Sequence, residues 1–219
     1  ISMKVKKNSI VGVIGRSGAG KTTLINIILG LFNQEKGEIK INTVKEKEFF
    51  DNKIITYVPQ DILILDDKLK NNIAFGIDEN QIDEKRVLEV IELAGITNFY
   101  NKNNNDLNVS LGEQGVKISG GEKQRIGIAR ALYFKPEILI LDESTSFLDN
   151  KTEDAILNEI LKFKEKISII MISHRLSTLK ICDEIYYIEK GVFKDNDTLD
   201  NLKIKYPEIE SKKSKSYEK

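Results

Sequence analysis

Between Ile10 and Thr23 an apolar run, Ile10-Val11-Gly12-Val13-Ile14, passes directly into Gly15-Arg16-Ser17-Gly18-Ala19-Gly20-Lys21-Thr22-Thr23. The run is short and bounded by turn residues, which reads as a buried strand, and beyond it Leu24, Ile27, Ile28 and Leu31 recur at helical spacing. A glycine-rich turn between strand and helix, closing on Lys-Thr, fits the pattern G-x-x-x-x-G-K-[ST]. Glycines let successive backbone N–H groups wrap around phosphate oxygens, and the following helix presents its positive end to the same anion. Lys21 then reaches the β- and γ-phosphates, and the Thr22 hydroxyl is placed to ligate Mg²⁺. The alternative is a glycine-rich turn without a ligand; the Lys-Thr pair, set between strand and helix, argues against it.

The remainder of the chain supplies partners for such a strand. Further strand candidates are Glu38–Ile41, Ile54–Val58, Ile138–Leu141, Ile167–Ile172 and Glu184–Ile188, several of them continuous apolar runs rather than alternating ones. Runs of this kind are typical of parallel strands covered on both faces. A helical pattern from Thr152 to Lys162 separates two of them, an α/β arrangement. The middle differs: Leu69–Phe75, Asp83–Ala94, Ile96–Tyr100 and Gly120–Phe134 all read as helices, with a surface loop at the Asn-rich stretch 98–108. The end of the chain, 211–219, reads as a frayed, charged tail.

Composition narrows the function classes. The 219 residues suffice for one large domain or two small ones, and 40% hydrophobic with 31% charged residues excludes a wholly disordered or fibrous chain. Lys plus Arg and Asp plus Glu both total 34, so the net charge is zero; that argues against a dedicated polyanion binder while leaving room for a local basic patch, and no nucleic-acid partner is expected. The single cysteine, Cys182, excludes an internal disulfide and a multi-cysteine zinc site, and reads as apolar filler. No apolar stretch approaches the roughly 18–20 residues needed to span a bilayer, so this stretch reads as soluble. Opening at Ile1 almost directly before a strand, it also reads as a piece of something longer. Of the five arginines, Arg16, Arg125, Arg130 and Arg175 fall in or beside the motifs, where a planar multi-donor fork is useful.

Two further motifs carry chemistry. Ile138-Leu139-Ile140-Leu141-Asp142-Glu143 is an apolar strand ending in two carboxylates. Beside a phosphate loop, Asp142 suits the anchoring of a Mg²⁺ shell. Glu143, one residue on and therefore turned elsewhere, suits a general base that polarises an attacking water. Ser119-Gly120-Gly121-Glu122 opens a helix: Ser119 is an N-cap and Glu122, three residues later, completes a capping box. Two adjacent glycines cost a helix interior roughly 1 kcal/mol each, and make better sense where backbone approaches a phosphate.

In this order the motifs resemble the nucleotide-binding domain of ATP-binding cassette (ABC) transporters: Walker A at Gly15–Thr23, a Q-loop at Gln60, the signature at Ile118–Glu122 and Walker B at Ile138–Asp142. The resemblance also implies a catalytic glutamate at Glu143, a D-loop at Ser146-Phe147-Leu148-Asp149 and a switch histidine at His174, the only histidine. It covers the chain from Val5 to about Gly191. Leu111-Gly112-Glu113-Gln114-Gly115 resembles the X-loop of exporters, and Tyr57–Asp61, Asn72–Gly76 and Ser173–Thr178 are similar to exporter sequence in general. Gln124–Leu132 is locally similar to bacterial flippases of lipid-linked oligosaccharides.

The implied fold class is an α/β P-loop NTPase, an ABC ATPase core with a mainly parallel sheet plus an inserted α-helical subdomain. Residues 1–60 and 135–219 form the ATP-binding core and 61–134 the helical signature subdomain. The implied function is ATP binding and hydrolysis powering export or flipping of a substrate across a membrane. The cofactors are ATP and Mg²⁺, with catalytic roles for Glu143, His174, Gln60 and Lys21. Nucleotide contacts fall to Gly15, Arg16, Ser17, Gly18, Ala19, Gly20, Lys21, Thr22 and Thr23. Across a head-to-tail dimer they fall to Ser119, Gly120, Gly121, Glu122 and Asp149. Thr22, Gln60 and Asp142 ligate the metal. The implied partners are a second nucleotide-binding domain, as a homodimer in the full transporter, and a transmembrane domain fused upstream; the implied location is the cytoplasmic face of a bacterial inner membrane. A soluble ABC ATPase of DNA repair or translation is the alternative. It is disfavoured by the lack of sustained heptads and the single cassette. A regulatory cassette without hydrolysis is disfavoured by the presence of Lys21, Asp142, Glu143 and His174.

Three departures from the family pattern stand out. Glu122 replaces the usual Gln, Ile118 the usual Leu, and the adenine-stacking aromatic that normally precedes Walker A would lie upstream of Ile1. Base stacking is worth about 1–3 kcal/mol, so the excised domain is expected to hold ATP more weakly than its parent.

Overall fold

The computed structural model describes residues 1–41, 54–112, 118–143 and 150–209. Its centre is β1 (Ile10–Gly15), buried along its whole length. In chain order there follow α1 (Lys21–Ile28), β2 (Ile55–Val58), α2 (Leu69–Ile73), α3 (Glu84–Leu93), α4 (Thr97–Lys102), α5 (Gly120–Tyr133) and β3 (Ile138–Asp142). Then come α6 (Asn150–Phe163), β4 (Ser168–Ile172), α7 (Leu176–Leu179), β5 (Glu184–Glu189), β6 (Val192–Asp197) and α8 (Leu199–Lys205). Among the described residues six strands form one sheet in the order β2-β3-β4-β1-β5-β6, parallel except for the antiparallel edge pair β5–β6.

Both faces of the central strands are covered, and side-chain alternation divides the core. Ile140, Ile170 and Ile172 join Val13 and Ile25 of α1 on one side. Leu139, Leu141, Ile169 and Met171 point to the other side. There they meet Ile156 and Ile160 of α6 and, without a break, Leu69, Val87, Val90 and Ile126 of the helical segment. That segment is therefore anchored on the sheet through shared apolar burial rather than tethered to it. Three arginines use their forks on carbonyl oxygens here: Arg86 on Leu132 and Tyr133, Arg125 on Ala94, and Arg130 on Leu63 and Asn72.

The parallel register brings the strand ends that matter to one edge. Asp142 at the end of β3 pairs with Ile172 at the end of β4, and Ile172 pairs in turn with Val13, two residues before Gly15. The carboxyl edge of an open parallel sheet is where ligands bind in such folds.

Three local expectations are corrected. Glu38–Ile41 is not a regular strand: only Ile41 takes part in an isolated bridge, and the alternation Glu-Ile-Lys-Ile leaves Ile39 and Ile41 half-buried. The helix beginning after Ile96 runs on to Lys102 because Phe99 is drawn into the helical core. The Asn-rich loop is thus confined to its second half, where Asn104 and Asn105 take left-handed backbone. An edge strand, β6, forms where no strand was expected. Lys190 and Gly191, both at positive φ, make the tight turn that folds it back on β5. The expected tail, 211–219, lies outside the described residues.

Candidate functional site

Gly18 and Gly20 adopt φ of 75° and 102°, a left-handed backbone open to glycine at no steric cost. Gly20 sits at the N-cap of α1 and supplies no side-chain cap to its first N–H groups. A Cβ on Gly15 would fall 2.5 Å from the Ile188 carbonyl oxygen, so this glycine is required by the approach of the loop to β5. Arg16, Ser17, Gly18, Thr22 and Thr23 are exposed, while Ala19 is buried. Lys21 is only 8% exposed, and its Nζ donates to the carbonyls of Gly15 at 2.9 Å and Arg16 at 3.2 Å. The ammonium is thereby held at the root of the loop rather than extended into solvent.

Across the edge stand the two carboxylates. Asp142 accepts a hydrogen bond from the Tyr57 hydroxyl, 3.0 Å from Oδ2. Burial pushes the Asp142 carboxyl above its ordinary value; the Tyr57 hydrogen bond opposes this, Glu143 adds to it, and the charges of Lys21 and His174 work against it. All four groups therefore lie within electrostatic reach of one carboxylate. Burial and Asp142 likewise raise the Tyr57 phenol, which stays a proton donor.

Glu143 has φ of 44°, a left-handed backbone uncommon for residues other than glycine and asparagine, and its N–H donates to the Ile172 carbonyl at 2.9 Å. Beyond this turn its Oε1 meets Nε2 of His174 at 2.9 Å. His174 follows β4 by two residues, so neighbouring strand ends deliver both halves of this pair. Gln60 is exposed two residues beyond β2, whose Val58 pairs with Leu141; it shares the edge with Asp142. Among the described residues no cluster of three or more His, Cys, Asp or Glu could hold a metal. Thr22, Gln60 and Asp142 offer a hydroxyl, an amide and one carboxylate, an all-oxygen set that suits Mg²⁺ completed by phosphate and water.

The expected signature residues lie at the start of α5. Ser119 Oγ accepts from the Glu122 N–H at 3.3 Å, and Glu122 Oε2 accepts from both the N–H and the hydroxyl of Ser119 at 2.7 Å. The unusual acid thus folds back onto its own helix start. A Cβ on Gly121 would meet Thr152 Cγ2 at 2.8 Å, whereas one on Gly120 would meet nothing, so an internal contact accounts for one of the paired glycines. Asp149 with its D-loop, and Glu113–Gly115 of the expected X-loop, lie outside the described residues. Cys182 packs between two apolar clusters, and burial pushes its thiol up to about 12, as befits inert filler.

Two contributors escaped the sequence reading. The sequence marks Tyr57 only as a strand residue that opens the exporter-like stretch Tyr57–Asp61, and nothing local marks a hydroxyl whose partner is 85 residues away. Glu153 is one acid among many in α6, yet it is 1% exposed and takes a hydrogen bond from Arg175 at 2.8 Å.

Comparison with known proteins gives the family. The ABC transporter family profile matches residues 1–146. The chain is 44% identical over 196 residues to a putative export ATP-binding/permease protein of Rickettsia prowazekii, covering 87% of this chain and 33% of that protein. It is 36% identical over 194 residues to the ATP-dependent lipid A-core flippase of Francisella novicida, covering 87% and 32%. A solved structure of a bacterial Atm1-family ABC exporter with ATP bound superposes with a TM-score of 0.82 at 33% identity, covering 95% of this chain and 38% of that one. The chain spans about a third of the length of the curated relatives it matches.

Proposed function

This chain belongs to the ABC transporter family, and we propose that it binds and hydrolyses ATP to drive export or flipping by a longer protein. The observation that carries the reading is the meeting of Glu143 with His174 on the edge that also holds Lys21 and Asp142. The loop Gly15–Thr23 wraps the phosphates, and Lys21 leaves the Gly15 and Arg16 carbonyls to bind the β- and γ-phosphate oxygens. Thr22, Gln60 and Asp142 hold Mg²⁺, which when bound neutralises phosphate charge. Glu143 takes the proton of the attacking water, and His174 holds the γ-phosphate and keeps Glu143 in place. Phosphoryl transfer asks chiefly for positioning and charge stabilisation, which this arrangement supplies.

Two copies pack head to tail, so that Ser119 and Gly121 of one contact the γ-phosphate held by the other and Asp149 joins the sites. ATP then holds the copies together and hydrolysis releases them, switching attached membrane segments between two states. Those segments belong to a transmembrane domain of the same protein, as the joint ATP-binding/permease naming of the relatives supports; no helix among the described residues is long and apolar enough to cross a membrane. The domain works at the cytoplasmic face. A lipid-like cargo is the reading the flippase relatives favour. The soluble alternative draws no support from the relatives.

The test is the solution mass of Glu143→Gln by light scattering, with and without millimolar Mg-ATP. A rise from 24.9 kDa to about twice that is expected. A mass unchanged by ATP, both in this variant and in Glu143→Gln combined with Glu122→Gln, would refute the ATP-dependent dimer.

A further inference from the structure

Glu153 is a buried carboxylate for which the proposed mechanism has no use. It lies one turn into α6 and is gathered by one short segment: Arg175 Nη1 donates to Oε2 at 2.8 Å, Ser177 Oγ to Oε2 at 3.2 Å, and Thr178 Oγ1 to Oε1. A carboxylate at 1% exposure is costly unless paired and hydrogen-bonded, and breaking such a pair strands the remaining charge. The segment it grips begins one residue after His174. On one side His174 is bounded by β4, buried throughout. On the other it is followed by α7, four residues long and without a side-chain cap at Arg175. A helix of one turn does not hold itself in place. Its start is braced by Ser173 Oγ, which accepts from the Arg175 N–H at 2.9 Å, and beyond that it is held by burial of Thr178 and Leu179 and by the grip of Glu153.

We propose that Glu153 is a positioning residue for His174: by fixing Arg175 and the start of α7 it sets where the imidazole meets the Glu143 carboxylate. This rests on the ATPase reading for its effect on turnover, but not for its effect on the ring. Glu153→Gln keeps the size of the side chain and loses the ion pair with Arg175. Displacement of a reacting group by about 1 Å costs on the order of 100-fold, so kcat falls by about 10- to 100-fold while KM for ATP, set by the loop and Lys21, stays within about twofold. In a His174→Ala background the same substitution causes no further loss, because the group it positions is gone.

Equal loss of kcat in both backgrounds would overturn the proposal and leave Glu153 a structural residue only. The second readout needs no ATP. His174 is the only histidine, so its imidazole NMR signals are identified without assignment. Glu153→Gln moves them at fixed pH; unmoved signals would overturn the proposal. Arg175→Lys, which keeps the charge and loses the fork, gives the same displacement should Glu153→Gln fail to fold. A wild-type chain that neither binds nor turns over ATP refutes the ATPase reading alone, with the ring signals still deciding the placement of His174.

Discussion

Oε1 of Glu143 lies 2.9 Å from Nε2 of His174, each residue standing just past the end of a neighbouring parallel strand. The contact depends on a backbone at φ of 44°, which turns Glu143 out of the alternation that would have placed it in the core. Strain at such a position is offset by function when the residue is a base. Glu143→Gln keeps the hydrogen-bonding shape and removes the basicity. Turnover is expected to fall by about 10²- to 10⁴-fold with ATP affinity unchanged, measured by phosphate release and equilibrium binding.

Lys21 makes the opposite separation. Its ammonium is buried at the loop root, and two carbonyl oxygens hold it where phosphate oxygens can replace them. Hydrogen bonds to charged groups are worth about 1.5–3 kcal/mol, so Lys21→Ala weakens ATP binding by at least about tenfold. The change also takes the donor from the Gly15 and Arg16 carbonyls, so the midpoint of denaturation without nucleotide is expected to fall as well, by the equivalent of about 1–3 kcal/mol. Unaltered nucleotide affinity in a titration would remove Lys21 from the phosphate site.

What could be read in the sequence was what local pattern determines. The phosphate loop, the buried strands and α5 with its capping box all follow from residues adjacent in the chain. The edge strand β6 escaped because Val-Phe-Lys-Asp-Asn-Asp has little strand character, and it forms only where the Lys190-Gly191 turn returns it to β5. Tyr57 and Glu153 escaped for a related reason. Their partners, Asp142 and the 175–178 segment, arrive from distant parts of the chain. The glutamate of the signature was legible as a departure, but the direction its side chain takes was not.

Asp142 predicts a pH-dependent cost. Its carboxyl is pushed above the ordinary 3.8 mainly by burial, so the folded state holds its proton more tightly than the unfolded chain does. Stability attached to this group is therefore greatest below pH 3.8 and is lost as pH rises through the folded value. Asp142→Asn mimics the neutral form and can still accept from Tyr57. In metal-free buffer it should unfold at a higher denaturant concentration than wild type at pH 7, the advantage shrinking toward pH 3.5. Mg-ATP should reverse the order by binding the wild-type site more tightly. Equal midpoints at pH 7 would show that burial imposes no penalty on this carboxylate.

Glu122 separates a structural role from a functional one at the same residue. Its carboxylate accepts two hydrogen bonds from Ser119 while Ser119 caps the Glu122 N–H, so the acid stabilises the start of α5. It also adds negative charge beside the Ser119 and Gly121 groups proposed to reach the γ-phosphate of the opposite copy. Glu122→Ala loses the reciprocal half of the capping box and is expected to cost about 0.5–1 kcal/mol of stability. Glu122→Gln keeps the reach back to the Ser119 N–H and removes the charge. It should therefore leave the denaturation midpoint close to wild type while tightening the Mg-ATP-dependent dimer of Glu143→Gln. A dimer affinity unchanged by Glu122→Gln would mean that the carboxylate, held on its own helix, is already screened from the partner's nucleotide.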